Sequence, residues 1–366
     1  MGRLTERLGE LEEQGLLRRR PVPVEAVAKS FCSNDYLGLA AKPALGAPAG
    51  AGASRLIVGE RPQHAELELA LSAWLGFESA LAFTSGYAAN LGAVSSLAES
   101  GDLIVSDELN HASIVDGCRL SRARVHVVPH LDVAAIEAAL TLPRLGRAWV
   151  VTESYFSMDA DSPDLAALRE VCDRRDAALV VDEAHALGVF GPCGKGLCAE
   201  AGVKPDVLVG TLGKAFGASG AFVAGDAAVT DWLWNRARSF VFSTGVSPAA
   251  MQAALDALPA VTEEAGPRRR LHENAHRLRH GLVALGIGCR GRGPIIPILV
   301  GEPERALRAA SMLRDAGVHV SAIRPPTVPV GTSRLRVTVT AAHTPKDIEL
   351  ALDAFEKARP WLAPSS

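Results

Sequence analysis

Thr211-Leu-Gly-Lys-Ala-Phe-Gly-Ala-Ser-Gly-Ala221 sets a single lysine among glycines and small residues. The run Val207-Leu-Val-Gly210 before it and Ala221-Phe-Val-Ala224 after it are short and apolar, and each reads as a buried strand. A lysine ammonium is costly to bury and normally lies on a solvated face. Lys214 falls instead where two buried strands meet through a loop too small to shield it. A desolvated amine has a lowered pKa and can condense with an aldehyde, and glycines let a flat ligand approach the backbone closely. Taken alone, a surface turn that contains a lysine accounts for the stretch equally well. It is not a Walker loop, because the Gly-x-x-x-x-Gly-Lys-Ser/Thr spacing is absent.

A second signal is Ala177-Ala-Leu-Val-Val-Asp-Glu-Ala-His-Ala-Leu-Gly188. Its unbroken apolar run is the pattern of a strand covered on both faces, as in a parallel sheet. Asp182 ends that run, and a buried carboxylate there needs a partner. A turn cap is the plain explanation; a protonated ring nitrogen is the functional one. His185, three residues on, can reach the same ligand. Lys214 follows one strand–helix–strand unit later, which favours a shared site.

Three more strand ends carry polar side chains. Ala80-Leu-Ala-Phe-Thr-Ser-Gly-Tyr-Ala-Ala-Asn90 reads as strand, tight turn and helix, with Thr84-Ser85-Gly86 at the helix start. Free N–H groups and the positive dipole end there suit a plain N-cap or a phosphate. Asp102-Leu-Ile-Val-Ser-Asp-Glu-Leu-Asn-His-Ala-Ser113 is a strand followed by a polar loop with His111. Arg147–Asp159 repeats the pattern, with Ser157 and Asp159 in the loop. Strand ends are where α/β sheets build sites.

At 366 residues the chain exceeds a typical single core. We expect an N-terminal helix and arm over 1–40, a large domain over 41–250 and a small α+β domain over 251–366. A net charge of −3 argues against nucleic acid or an anionic membrane as main partner. No apolar stretch is long enough to span a bilayer, and the charged N-terminus lacks a secretory core. The six cysteines are scattered and complete no zinc set, so reduced thiols, no metal and a cytoplasmic location are expected.

Residues 1–20 read as an amphipathic helix ending in Arg18-Arg19-Arg20. The triplet complements a helix dipole, and one of its guanidinium groups also suits a carboxylate or phosphate. Asn34 lies in a turn. Gly50–Arg55 reads as a flexible loop, His64–Leu75 as an amphipathic helix and Asp231–Phe240 as a helix, with Ser243-Thr244 in the exposed turn after it. The C-terminal part reads as strand Ile295–Val300, helix Glu304–Ala316, strand Val318–Ala322, strand Ser333–Thr340 and a helix over Pro345–Arg359. Arg324 precedes two prolines that fix its loop, a rigid mount for a carboxylate contact.

A lysine, a strand-end aspartate, a helix-start Ser-Gly and a histidine loop together are what pyridoxal phosphate (PLP) requires: a Schiff-base amine, a partner for the pyridine nitrogen and a phosphate cradle. No Gly-x-Gly-x-x-Gly opens a first βα unit, so a Rossmann dehydrogenase fits poorly. The motifs Ser33-Asn-Asp-Tyr-Leu-Gly-Leu39, Asn110-His-Ala-Ser113, Phe156-Ser-Met-Asp159, Val181-Asp-Glu-Ala-His185, Thr211-Leu-Gly-Lys-Ala-Phe-Gly217 and Phe242-Ser-Thr244 resemble those of the α-oxoamine synthases. The resemblance covers nearly the whole chain. It implies an α/β PLP-dependent transferase of fold type I, with a mostly parallel central sheet and a smaller C-terminal α+β domain.

By motif, the resemblance implies Lys214 as the Schiff-base lysine and Asp182 as the partner of the pyridine nitrogen. It places His185 and Ser157 near the ring hydroxyl and His111 on the ring face. Ser85, Gly86, Tyr87 and Thr211 fall on the phosphate side. Ser243 and Thr244 match a segment reaching the neighbouring subunit's phosphate, which implies a homodimer. Arg18, Asn34, Arg324 and Thr327 match substrate contacts. The run Ala322-Ile-Arg-Pro-Pro-Thr-Val-Pro-Val-Gly-Thr-Ser-Arg-Leu-Arg336 looks most like the branch that condenses L-alanine with a pimeloyl thioester, carried by coenzyme A or an acyl carrier protein. Sister branches use glycine with acetyl-CoA or succinyl-CoA, or a long-chain acyl donor; a non-catalytic partner subunit would typically have lost the lysine.

Overall fold

The computed structural model describes residues 9–17, 28–42, 46–263 and 266–362. Twelve strands lie among the described residues: β1 Lys29–Ser30, β2 Ser79–Phe83, β3 Leu103–Asp107, β4 Arg124–Val128, β5 Ala148–Glu153, β6 Ala177–Asp182, β7 Val207–Thr211, β8 Ala221–Gly225, β9 Ile295–Gly301, β10 Val318–His319, β11 Ser321–Ile323 and β12 Ser333–Thr338. The chain divides into two compact units. One comprises Leu37–Phe156 and Asp161–Arg268; the other comprises Met1–Tyr36, Ser157–Ala160 and Arg269–Ser366.

The larger unit holds a seven-stranded sheet in the order β2-β8-β7-β6-β5-β3-β4. The pairs β4–β3, β3–β5, β5–β6 and β6–β7 are parallel. β8 is antiparallel to both β7 and β2. Six strands therefore run one way and β8 alone runs the other. β3, β5 and β7 are buried at every residue, as expected where helices cover both faces of a parallel sheet. The edge strand β4 is exposed at four of its five positions. One core joins Leu81, Ile104, Val151, Val180, Val209 and Val223 of the sheet to Ala89, Ala93 and Val94 of the helix Gly86–Leu97.

The smaller unit has the antiparallel sheet β11-β12-β9 and the parallel pair β1–β10. Its core gathers Phe31, Leu278, Ile296, Ile298, Leu335, Val337 and Phe355. The helices Pro303–Asp315 and Pro345–Leu362 present Ala309, Leu313, Ala351 and Ala354 to that core. No described helix is long and apolar enough to cross a membrane. All six cysteines are free.

Three local expectations change. The strand expected over Val318–Ala322 is two: β10 pairs with β1 and β11 with β12, the chain changing partner at the buried Val320. The helix expected over Asp231–Phe240 is also two, Ala227–Arg236 and Arg238–Val241. The break is Ala237, whose extended backbone (φ −68°, ψ 105°) cannot carry a helix through. The loop Gly50–Arg55 ends in a side chain that is far from flexible. The Arg55 guanidinium is buried, paired with Glu60 and Glu68, and lies over the rings of Trp234 and Phe240.

Gly210 shows how tightly β7 is held. A Cβ there would meet Phe222 Cζ at 2.4 Å and Leu187 Cδ1 at 2.6 Å. Gly210→Ala should cost about 1–3 kcal/mol through overpacking; a thermal midpoint equal to wild type would contradict this packing.

Candidate active site

Strand direction collects the site. Because β2, β3, β5, β6 and β7 run the same way, their C-terminal ends lie on one edge of the sheet. Those ends deliver Ser85, His111, Glu153, Asp182 and Lys214 from five separate stretches of sequence. Ligands bind α/β sheets at this edge, outside the carboxyl ends of the strands.

Asp182 is the last residue of β6 and is 7% exposed. Both of its oxygens accept N–H donors: the Ala184 backbone at Oδ1 (2.7 Å) and Asn90 Nδ2 at Oδ2 (2.6 Å). Directly across in register stands Glu153, the last residue of β5 and 5% exposed. Its Oε1 accepts the His111 N–H at 2.7 Å. Burial and the nearby Asp182 charge push the Glu153 carboxyl well above the usual carboxylate range, with the Lys214 ammonium pulling the other way. His111 caps the helix Ala112–Leu120, with its Nδ1 accepting the Ser113 N–H. His111 keeps an exposed face; partial desolvation of its ring lowers the pKa, the Asp182 charge opposes this and the Lys214 charge adds to it.

Lys214 is half-buried in the β7–β8 loop. Its carbonyl accepts the Gly217 N–H at 2.9 Å, and Gly217 has φ 63°, where a side chain would be strained and would strike the Ala40 backbone. Thr211 ends β7; its Oγ1 donates to Gly220 O (3.2 Å) and accepts from Gly213 N (3.3 Å), which ties the loop's two ends together. Ser85 caps the helix Gly86–Leu97 by accepting the Ala88 N–H, so the N–H groups of Gly86 and Tyr87 face no intrahelical acceptor. A Cβ on Gly86 would lie 3.8 Å from Thr211 Oγ1, which puts that helix start beside β7. The Tyr87 hydroxyl donates to Asp116, and its ring stands edge-on to His111. His185 lies buried in the turn after β6. Ser243 and Thr244 border a small cavity with Thr84 and Arg55.

These residues fit PLP on their own chemistry. A buried Asp182 stands beside a Glu153 carboxyl held toward its protonated form, with one amine and a histidine held toward neutrality, and the Asp182 carboxylate is suited to pair with a cationic ring nitrogen. The helix start beside Thr211 has the donors and dipole a phosphate needs.

The remaining expected residues lie in the smaller unit. Asn34 Oδ1 accepts from Arg336 Nη1 and Nη2, both at 3.1 Å, leaving its amide as the donor end. Arg336 Nε also donates to the Ser157 carbonyl at 2.6 Å, so one guanidinium joins two expected residues. Arg324 donates to the Gly15 carbonyl, and Thr327 N bonds to Arg324 O at 3.1 Å. Arg18 lies outside the described residues.

Sequence reading misses Asn90, Ser113, Glu153 and Arg336. Asn90 and Ser113 look like ordinary helix residues. Glu153 looks like the end of a strand run. Arg334 and Arg336 alternate with Leu335 and Val337, which is the pattern of an outward polar face, yet both arginines are buried. Arg334 Nη1 donates to the Met158 carbonyl (3.1 Å) and pairs with Asp159. A third unread cluster braces the sheet edge: His130 Nδ1 lies 2.9 Å from Asp107 Oδ1 at the end of β3, and its Nε2 lies 3.3 Å from Asp161.

The aminotransferase class I and II family matches residues 29–355. The 8-amino-7-oxononanoate synthase of Anaeromyxobacter dehalogenans is 49% identical over 348 residues, covering 92% of this chain and 87% of that protein. That of Aromatoleum aromaticum is 45% identical and covers 98% of both. Among solved structures, a serine palmitoyltransferase from S. paucimobilis with a bound PLP–myriocin aldimine superposes with a TM-score of 0.89 at 29% identity, covering 98% of this chain and 97% of that one.

Burial alone would lower the His130 pKa, but the hydrogen bonds to Asp107 and Asp161 carry it up to about 10. A raised folded-state value means the contribution to stability is complete below the ordinary 6.5 and is lost as pH climbs through about 10. The stability gap between wild type and His130→Gln, measured by urea unfolding, should therefore shrink between those two pH values. A gap independent of pH would contradict it.

Proposed function

This chain belongs to the aminotransferase class I and II family, and we infer that it condenses L-alanine with a pimeloyl thioester, releasing CO2 and free thiol and giving 8-amino-7-oxononanoate for biotin synthesis. Relatives of that activity, 45–49% identical over more than nine-tenths of the chain, support the substrate pair. The observation that carries the reading is the gathering of Lys214, Asp182, His111 and the Ser85–Gly86 helix start at one sheet edge.

PLP is the cofactor, and when bound it supplies an electron sink that makes the α-carbon of the amino acid acidic and then nucleophilic. Lys214 Nζ would hold the cofactor through its aldehyde and would be the base positioned to take the α-proton of the amino acid. Asp182 would pair with the ring nitrogen and favour its protonated form, and His185 and Ser157 would serve the ring hydroxyl. Ser85, Gly86, Tyr87 and Thr211 hold the phosphate by N–H donors, a hydroxyl and the helix dipole.

His111 would lie against the cofactor and would polarise the thioester carbonyl with a hydrogen bond. Stabilising charge that develops in the transition state with donors already in place is the largest lever such a site has. Asn34, Arg324 and Thr327 receive the substrate, with Arg18 as a further candidate at the N-terminus. Ser243 and Thr244 complete the phosphate site of a neighbouring subunit in a homodimer, and the enzyme works in the cytoplasm.

The purified protein, offered L-alanine or glycine with pimeloyl-, succinyl- or acetyl-CoA, should release thiol with alanine and pimeloyl-CoA. Release with glycine and a short thioester alone would overturn the substrate pair and keep the site. Lys214→Ala should lose both turnover and the cofactor's visible band; retained turnover would overturn the reading of the site.

A further inference from the structure

We propose that Asn90 and Ser113 are positioning residues that lock His111 in its Nε2–H tautomer, so that His111 meets the reacting substrate as a hydrogen-bond donor and never as a base at Nε2. The inference rests on the assignment of His111 to the reacting centre, but the tautomer itself is decided by hydrogen-bond direction alone.

The direction propagates from Asp182. Its two oxygens already accept from Ala184 N and from residue 90, so the group that Asn90 turns toward Oδ2, at 2.6 Å, is the amide nitrogen. This settles the orientation of the Asn90 amide, since its own oxygen against that acceptor would repel. The same Nδ2 lies 3.0 Å from Ser113 Oγ and has a second hydrogen to give it. Ser113 Oγ thereby accepts from Asn90 and keeps its proton available for His111 Nδ1, at 2.8 Å; the direction of that bond is set by the backbone donor beside it. The Ser113 backbone N–H also points at Nδ1, at 3.2 Å. Two donors converge on Nδ1, so Nδ1 is an unprotonated acceptor and the ring proton sits on Nε2.

The charges around the ring agree. His111 is faced by the Asp182 and Glu153 carboxyls from the ends of β6 and β5 and by the Lys214 ammonium from the β7–β8 loop. Partial desolvation of the ring and the Lys214 charge disfavour the doubly protonated imidazolium, against the pull of Asp182. A neutral ring with Nδ1 occupied has one free function, the Nε2–H. The Glu153 carboxyl holds the His111 backbone N–H at 2.7 Å and so anchors the residue whose ring is being oriented. Asn90 and Ser113 are themselves 3% and 0% exposed, so water offers no substitute partners at those two links, although His111 at the end of the chain of bonds is exposed.

Holoenzyme labelled with ring-15N histidine, with the His111→Gln spectrum identifying the His111 signals, reads the tautomer without any substrate. We expect a protonated, pyrrole-type Nε2 and an unprotonated, pyridine-type Nδ1; a protonated Nδ1 overturns the proposal. Ser113→Ala removes the hydroxyl donor. It should mix the two tautomers and lower kcat about tenfold, the low end of what a lost outer hydrogen bond costs a functional histidine in metal sites, with KM for alanine nearly unchanged. Ser113→Thr should restore both readouts. Asn90→Asp keeps the shape but reverses the bond, drawing the Ser113 proton away from His111, and should mix the tautomers as well. Unchanged His111 signals and unchanged kcat in Ser113→Ala overturn the relay even if Asn90→Asp fails to fold. A His111 spectrum as expected in a protein inactive with alanine and pimeloyl-CoA would instead refute the substrate pair and leave the relay standing.

Discussion

Two carboxylates buried side by side are the constraint on which the larger unit depends. Asp182 and Glu153 end neighbouring strands in register, and neither reaches bulk water. Two carboxyl groups in such a place do not readily both ionise: Glu153 is pushed toward its protonated form, and the Asp182 charge needs donors and a cation close by. The chain meets the demand with N–H groups from Ala184, Asn90 and His111 and with the Lys214 ammonium. Each donor fixes a different segment. Asn90 commits the helix Gly86–Leu97 to a path beneath Asp182, and this places the Ser85 helix start. His111 commits the loop after β3, and Lys214 commits the loop after β7.

One helix thus performs two electrostatic tasks. Its N-terminus offers free N–H groups beside Thr211, and its second turn delivers the Asn90 amide to a carboxylate. Both are donor functions. The positive end of the helix dipole favours an anion at the start, while Asn90 neutralises nothing and only directs hydrogen bonds. The distinction matters for His111, whose behaviour follows from bond direction along Asn90 and Ser113 as much as from net charge.

The smaller unit solves a comparable problem with cations. Arg334 and Arg336 are buried on β12, and their forks grip the backbone of Ser157 and Met158, the carboxylate of Asp159 and the Asn34 side chain. A planar guanidinium with five donors can satisfy several carbonyls at once, which a lysine cannot. The short segment Ser157–Ala160 belongs to this unit although its neighbours in sequence on both sides belong to the other.

Much of this was legible in the residue order. The apolar runs ending in Asp182 and flanking Lys214 announced a parallel sheet buried on both faces, because strands without a polar face have no other home. The specific motifs announced the family, the cofactor and the residues to watch. Legibility failed where a polar side chain is buried by partners far away in sequence. Asn90, Ser113, Glu153 and Arg336 carry no local mark, since periodicity records which face of an element is apolar and not what a buried polar atom bonds to. The sequence by itself determined the element types and their order, through short-range pattern and turn chemistry. Only the tertiary structure decided that five strand ends share one edge, and which way each hydrogen bond there points. Those facts depend on strand order and on donors that meet partners as many as 92 positions away in the chain.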